Sequence, residues 1–336
     1  MPRCGERVGG GLSDEENMKT FRSSGLIALA LALTAAPAQA QFPSKPMRMI
    51  VPFGAGSAND IVARIVAPPL SEALGRPIVI DNRAGAAGNI GAELTASAPP
   101  DGHTLMVANI AHAVSATLYP KLGYDLVKDF APVTLLAAGS FLLAVHPSVP
   151  VKSQKELVAF AKARPGQLNV GTAGAGIILA MALFQNLTGT QMTPVAYKST
   201  PQAITGLLSG EVSVGLPSTS AAMPHVRAGR MRGLAVTSTK RSHMAPAIPT
   251  IAEAGVPGYE ASPWYGFMVP AATPKDIIAR LHAESARVLQ RPDVKERFGT
   301  TDMELIGSTP EQFATYIRSE VEKWGKVVKA IGLRPE

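Results

Sequence analysis

Short β-rich runs alternate with helix-patterned runs along most of this chain, and that alternation admits few folds. Met47–Val51 is followed by a glycine-rich turn and then by Ile61–Val66, whose apolar spacing suits a helix. Pro77–Ile80, Thr104–Val107 and Phe141–Val145 read as further strands. So do Leu168–Val170, Thr193–Tyr197, Val212–Leu216, Gly233–Val236 and Tyr265–Val269. The pattern predicts an α/β protein with largely parallel sheets flanked by helices. Toward the C-terminus, Thr273-Pro274 predicts a helix start with the hydroxyl as cap and proline first. A second start, Thr309-Pro310-Glu311-Gln312, has the form of a capping box and leads into Phe313, Ile317, Val321, Trp324, Val328 and Ile331.

The chain has 336 residues, enough for two domains or two lobes with a core each. With 46% hydrophobic and 17% charged residues it is not the composition of a disordered chain. Cys4 is the only cysteine, so neither a disulfide framework nor a cysteine zinc site is available. The net charge of +7 is compatible with nucleic acid, an acidic membrane or a small anion, and chooses none of them. Arg227, Arg230, Arg232, Lys240 and Arg241 form a basic cluster with few aromatics between them. This reads as a solvated face and not a nucleic-acid surface.

Residues 1–40 read as a targeting segment. Lys19 and Arg22 precede the apolar stretch Gly25–Leu33, and Ala38-Gln39-Ala40 supplies small residues for cleavage before Gln41. The apolar stretch is too short to span a bilayer. Translation is expected to start at Met18, and the product to be exported, soluble and without a lipid anchor.

The most informative stretch is Val51–Asp60, between a strand and a helix. A glycine-rich loop feeding a helix start exposes backbone N–H groups and the positive end of the helix dipole, a combination that holds a phosphate or a carboxylate. The loop nearly matches the dinucleotide fingerprint. Gly54-x-Gly56 is present, Asn59 stands at the third glycine, and Asp81 ends the next strand where a ribose-binding acid would sit. A second loop, Gly171–Gly176, lacks the Lys-Ser/Thr end of a P-loop, which argues against NTP hydrolysis. A third, Asn82–Asn89, follows the second strand. The 6 histidines show no metal-ligand spacing, and no nucleophile elbow is present.

With these motifs laid out, the chain resembles the periplasmic substrate-binding receptors of tripartite tricarboxylate transporters, the Bug receptor family. The resemblance covers about residues 43–332. It rests on Pro43–Pro46, Val51-Pro52-Phe53 with Asp60–Arg64, Asn82-Arg83 through Gly91, and Pro100–Leu105. Further along it rests on Lys128–Val133, Pro147–Pro150, Tyr197-Lys198, Ala228–Val236, Glu253-Ala254-Gly255 and Trp264-Tyr265-Gly266.

The resemblance implies a two-lobed periplasmic-binding-protein fold of the Venus-flytrap type. Lobe one would be 42–142 plus 262–336, and lobe two 143–261. Its function would be to capture a small organic carboxylate and pass it to membrane permease subunits, as a monomer without cofactor or metal and not as an enzyme. Carried over, the lobe-one ligand loop is Phe53, Gly54, Ala55, Gly56, Ser57, Ala58 and Asp60, with Asn109 and His112 nearby. Lobe two contributes Gly174, Ala175 and Gly176, with Tyr197, Lys198 and Ser218 close by. Backbone donors are expected from Gly56, Ser57, Ala58 and Gly176, a hydroxyl from Ser57 and an aromatic wall from Phe53. Asp60 is expected to brace the loop, since a carboxylate repels an anionic ligand. Ile178 replaces a family histidine, Ser199 a glycine and Ser213 an aspartate, which points to a ligand with one carboxylate and an apolar remainder. A dinucleotide-binding Gly-loop enzyme and a ligand sensor for a signalling partner remain alternative readings.

Overall fold

The expected alternation runs the whole length of the described chain. A computed structural model describes Gly5 and residues 42–119, 121–173, 175–197 and 199–332. Apart from Gly5, the expected targeting segment therefore lies outside the described residues, as do Gly174 and Lys198. The elements follow in order as β1 (Met47–Val51), α1 (Ala58–Leu74), β2 (Ile78–Asn82), a 3-10 turn (Ala86–Gly88), α2 (Asn89–Ala96), β3 (Thr104–Asn109), α3 (Ile110–Leu118) and β4 (Phe130–Ala138). Next come β5 (Leu142–Val145), α4 (Gln154–Ala163), β6 (Asn169–Thr172), α5 (Ala175–Thr188), β7 (Thr193–Ala196), α6 (Thr200–Ser209), β8 (Val214–Gly215), α7 (Thr219–Arg227) and β9 (Arg232–Val236). The chain ends with β10 (Trp264–Pro270), α8 (Lys275–Gln290), α9 (Pro292–Gly299), β11 (Glu304–Leu305) and α10 (Pro310–Ile331).

Two sheets result, both flanked by helices. One has the strand order β11-β4-β10-β3-β1-β2 and the other β7-β6-β8-β5-β9. Pairing is parallel where strand, helix and strand succeed one another, in β3-β1-β2 and in β7-β6-β8. It is antiparallel where the chain changes sheets: β10 runs against β3 and β4, and β5 against β8 and β9. The apolar run Leu135–Val145 is not one element. Gly139 and Ser140 carry the chain from the end of β4 to the start of β5, so the interruption marks the passage between sheets.

Local signals explain most helix ends. The Thr309 hydroxyl accepts from the Gln312 N–H and the Gln312 side chain accepts from the Thr309 N–H, closing the expected capping box of α10. Thr273 does not cap α8; its hydroxyl donates to the Pro270 carbonyl at 2.7 Å, and the helix starts at Lys275. α1 continues through Pro68 and Pro69 because Leu70 and Leu74 are buried beneath it, and their packing outweighs the missing N–H groups.

The core is continuous between the sheets. Met106 and Ala108 of β3, Leu143 and Val145 of β5, Val170 of β6 and the buried face of α5 belong to one apolar cluster with Trp264, Phe313, Ile317 and Trp324. α10 packs against both α3 and α5. Lys45–Glu336 accordingly form one compact unit. Among the described residues no helix is long and apolar enough to cross a membrane.

Candidate functional site

The loop from Phe53 to Asp60 is held by its own polar groups. Asp60 is buried, and its carboxylate accepts from the Gly56 N–H at 2.9 Å, from Arg64 Nε at 2.8 Å and from Asn82 Nδ2 at 3.0 Å. Burial acts to raise the pKa of this group. The hydrogen bonds from Arg64, Gly56 and Asn82 outweigh it and hold the carboxyl below its ordinary range. Asp60 thus braces the loop, and Gly56 turns it in the left-handed region at φ 80°.

Ser57 caps α1, its hydroxyl accepting from the Asp60 N–H at 3.3 Å while its own N–H donates to the Gly54 carbonyl at 3.1 Å. Two donors expected to face a ligand, the Gly56 and Ser57 N–H groups, are therefore used inside the loop. The Ala58 N–H, in the first turn of α1, has no intrahelical acceptor. Gly54 and Ala55 are exposed at the tip of the loop.

A second layer ties this loop to the start of α3. Asn59 is buried, donates to the Val107 carbonyl at 2.8 Å and accepts from Asn109 Nδ2 at 2.8 Å. Asn109 caps α3, with its Oδ1 accepting from the Ala111 N–H at 2.9 Å. The His112 side chain reaches back to the Asn109 N–H at 3.1 Å, completing a capping box. Phe53 stands edge-on to His112 with ring centroids 5.9 Å apart, and its carbonyl accepts from Asn82 Nδ2 at 3.0 Å.

Gly88, at φ 94°, lies against both rings. A β-carbon there would stand 2.9 Å from Phe53 Cζ and 3.1 Å from His112 Nε2. Asn59, Asn82 and Gly88 complete the cluster without standing in the expected ligand set. Their signal was in the sequence: Asn59 replaces the third glycine of the fingerprint, and Asn82 and Gly88 bracket the third glycine-rich loop.

From the other sheet, α5 starts at Ala175, and a β-carbon on Gly176 would come within 3.9 Å of Ile110 Cγ2. The starts of α3 and α5 are thus neighbours. Tyr197 goes elsewhere. Its N–H donates to the Thr172 carbonyl at 2.8 Å, and its ring packs over Gly171 and Gly206. Ser218 caps α7 and accepts from the Ala221 N–H at 3.4 Å, beside the passage between the sheets. There the Gly139 N–H donates to Pro263 O at 2.7 Å, the Thr237 N–H to Phe141 O at 2.9 Å, and the Thr219 N–H to Asp302 Oδ2 at 3.1 Å.

Asp81, the acid that a dinucleotide ribose would need, is held between Arg48 and Arg83, the latter through Nε at 2.9 Å. Among the described residues no group of three or more His, Cys, Asp or Glu is placed to hold a metal.

Residues 62–333 match the family model described as the tripartite tricarboxylate transporter family receptor. The chain belongs to that family. It is 36% identical over 313 residues to the protein BugT of Bordetella pertussis, covering 92% of this chain and 96% of the relative. Among solved structures it is similar to Rpa4515 of R. palustris with adipate, at 36% identity and a TM-score of 0.74, covering 88% of this chain and 100% of that one. It is also similar to MatC of Rhodopseudomonas palustris with bound malate, at 32% identity and a TM-score of 0.71, covering 85% and 100%.

Proposed function

We propose that this receptor is exported, closes two lobes over a small organic carboxylate and delivers the ligand to the permease subunits of a membrane transporter. The observation that carries the reading is the meeting of two helix starts from different sheets, α3 at Ile110 and α5 at Gly176, beside the Phe53–Asp60 loop. Helix N-termini present N–H groups and partial positive charge, which suit a carboxylate without an arginine clamp. The adipate and malate in two relatives support the ligand class.

The lobes are taken as 42–142 plus 262–336 and 143–261, in line with the two passages between the sheets at 139–141 and 261–263. Hinge movement about these passages would let the ligand stabilise the closed form in proportion to its added contacts there. The ligand is taken to have one carboxylate and an apolar remainder. In the second sheet Ile177, Ala203, Ile204, Leu207, Leu216 and Pro217 line an apolar niche beside Gly171 of about 10 Å³, too small to take that remainder. Ile178, by contrast, faces an outer groove with Val170 and Met181.

The test is thermal melting of the protein against mono-, di- and tricarboxylates, with NAD as a control. A ligand at 100 times its Kd adds about 2.7 kcal/mol of stability. A rise in Tm with one class of acid supports the reading; a rise with NAD alone overturns it in favour of the dinucleotide alternative.

A further inference from the structure

Asp302 is buried just before β11, the edge strand of the first sheet. Its Oδ2 accepts the Thr219 N–H at 3.1 Å, in the first turn of α7, a helix that packs on β5 and β9 of the second sheet. The same carboxylate lies against the passage between the sheets, where a β-carbon on Gly139 would stand 3.8 Å from Asp302 Cγ. Ser140 completes the joint: its Oγ is 2.6 Å from Thr219 Oγ1, and its carbonyl shares the Thr219 N–H at 3.1 Å. The start of α7 thus takes its anion from the chain itself, 83 residues away. On its open side Asp302 lines a polar cavity of about 370 Å³ with Ser262, Lys240 and Glu304, room enough for water to bring a proton to the carboxylate. Burial raises the pKa of Asp302 over the opposing pull of the Asp302, Thr219, Ser140 and Ser220 backbone. Tyr265 of β10 also faces it; burial and the charge of Asp302 push that phenol up, so it stays neutral.

We infer that Asp302 is a positioning residue for closure, a carboxylate built into the chain that joins the proposed lobes across the passage at 139–141 and exchanges a proton as they move. The inference rests on the two-lobed receptor reading and deepens it. Thr219 and Asp302 stand on opposite sides of that passage, so rotation about Gly139 and Ser140 changes the contact between the carboxylate and its donor. An ionised carboxylate is held by the N–H groups and dipole of a helix start, and a protonated one is held less. A change in the contact therefore changes the proton affinity of Asp302. By linkage, the proton then changes the affinity for the ligand. Lys240 favours the ionised form and Glu304 opposes it, but both are exposed and screened, which leaves burial and the α7 start as the stronger influences.

The experiment is calorimetry with adipate, malate and benzoate as probes, from mildly acidic to mildly alkaline pH. Buffers of different ionisation heat count the protons exchanged per acid bound. Asp302→Asn keeps the shape and an acceptor for Thr219 but cannot ionise, so it reports the exchange due to the probe acid and to every other group. The expected result is an exchange in the unaltered protein that is missing from Asp302→Asn, with an affinity that changes by up to about tenfold per pH unit for one proton exchanged. Asp302→Ala, which removes the acceptor, should shift the affinity about fivefold or more. Equal proton exchange in the unaltered protein and Asp302→Asn, or an unchanged affinity in Asp302→Ala, overturns the inference and leaves the receptor reading intact. Failure of all three acids to bind the unaltered protein counts against the receptor reading itself, and this assignment falls with it.

Discussion

Asn109 Nδ2 donates to Asn59 Oδ1 at 2.8 Å, joining the first turns of two helices whose capping regions lie 50 residues apart in the chain. The bond is partly buried and each amide has a further partner: Asn59 holds the Val107 carbonyl and Asn109 the Ala111 N–H. Replacing Asn59 by alanine leaves a buried carbonyl and an amide unmatched. The expected loss is about 1–3 kcal/mol in urea denaturation. A double-mutant cycle with Asn109→Ala should give a coupling clearly different from zero, and additive losses would show that the pair is not a strut.

Asp60 predicts a pH dependence. Its folded pKa is lowered, so the stability it contributes is fully present above the unfolded value of about 3.9 and is lost as pH falls through the folded pKa. Asp60→Asn keeps the shape and removes the charge. The variant should be less stable than the natural protein near neutrality, and the difference should close as pH falls below about 3.9. A constant difference down to the acid limit would argue against the ionised brace.

Glu320 behaves in the opposite sense. It is buried, accepts from Trp264 Nε1 at 2.8 Å and Trp324 Nε1 at 2.9 Å, and pairs with Lys323, which also pairs with Glu260. Burial raises its pKa over the opposing effect of Lys323. The folded state therefore binds more protons than the unfolded one, and this group's contribution to stability declines as pH rises from about 4.3 through the raised folded pKa. Glu320→Gln should flatten that decline. Glu320→Ala, which strands both indole N–H groups while Lys323 keeps Glu260, should lose about 1–3 kcal/mol for each unmatched donor in chemical denaturation.

Gly88 is constrained twice, by φ 94° and by the two rings beside it. Gly88→Ala places a methyl group where Phe53 Cζ and His112 Nε2 stand, and strains the backbone. Destabilisation of about 1–3 kcal/mol is expected, with loss of acid binding that survives at temperatures where the variant is still folded. Full binding by a folded Gly88→Ala protein would remove the third glycine-rich loop from the site.

Much of the fold was legible in short-range pattern. The capping box of α10, the strand at Met47–Val51 and the glycine-rich turn into α1 all depend on residues within a few positions of one another. The passage from β4 to β5 was not legible, because the apolar run Leu135–Val145, broken by Gly139-Ser140, does not say which sheet each half joins. The start of α8 was misplaced since Thr273 finds the Pro270 carbonyl before it can cap a helix.

The site divides in the same way. Sequence by itself determined that a glycine-rich loop feeds a helix start at Ser57 and that Asp60 stands where it can brace that loop, since both rest on local geometry. Tertiary structure decided which donors remain. It turned the Gly56 and Ser57 N–H groups inward, sent Tyr197 over Gly206 and set Gly176 beside Ile110. The physical reason is that a buried polar group must find whatever partner the packed chain brings to it, and here the partners come from elements tens of residues away.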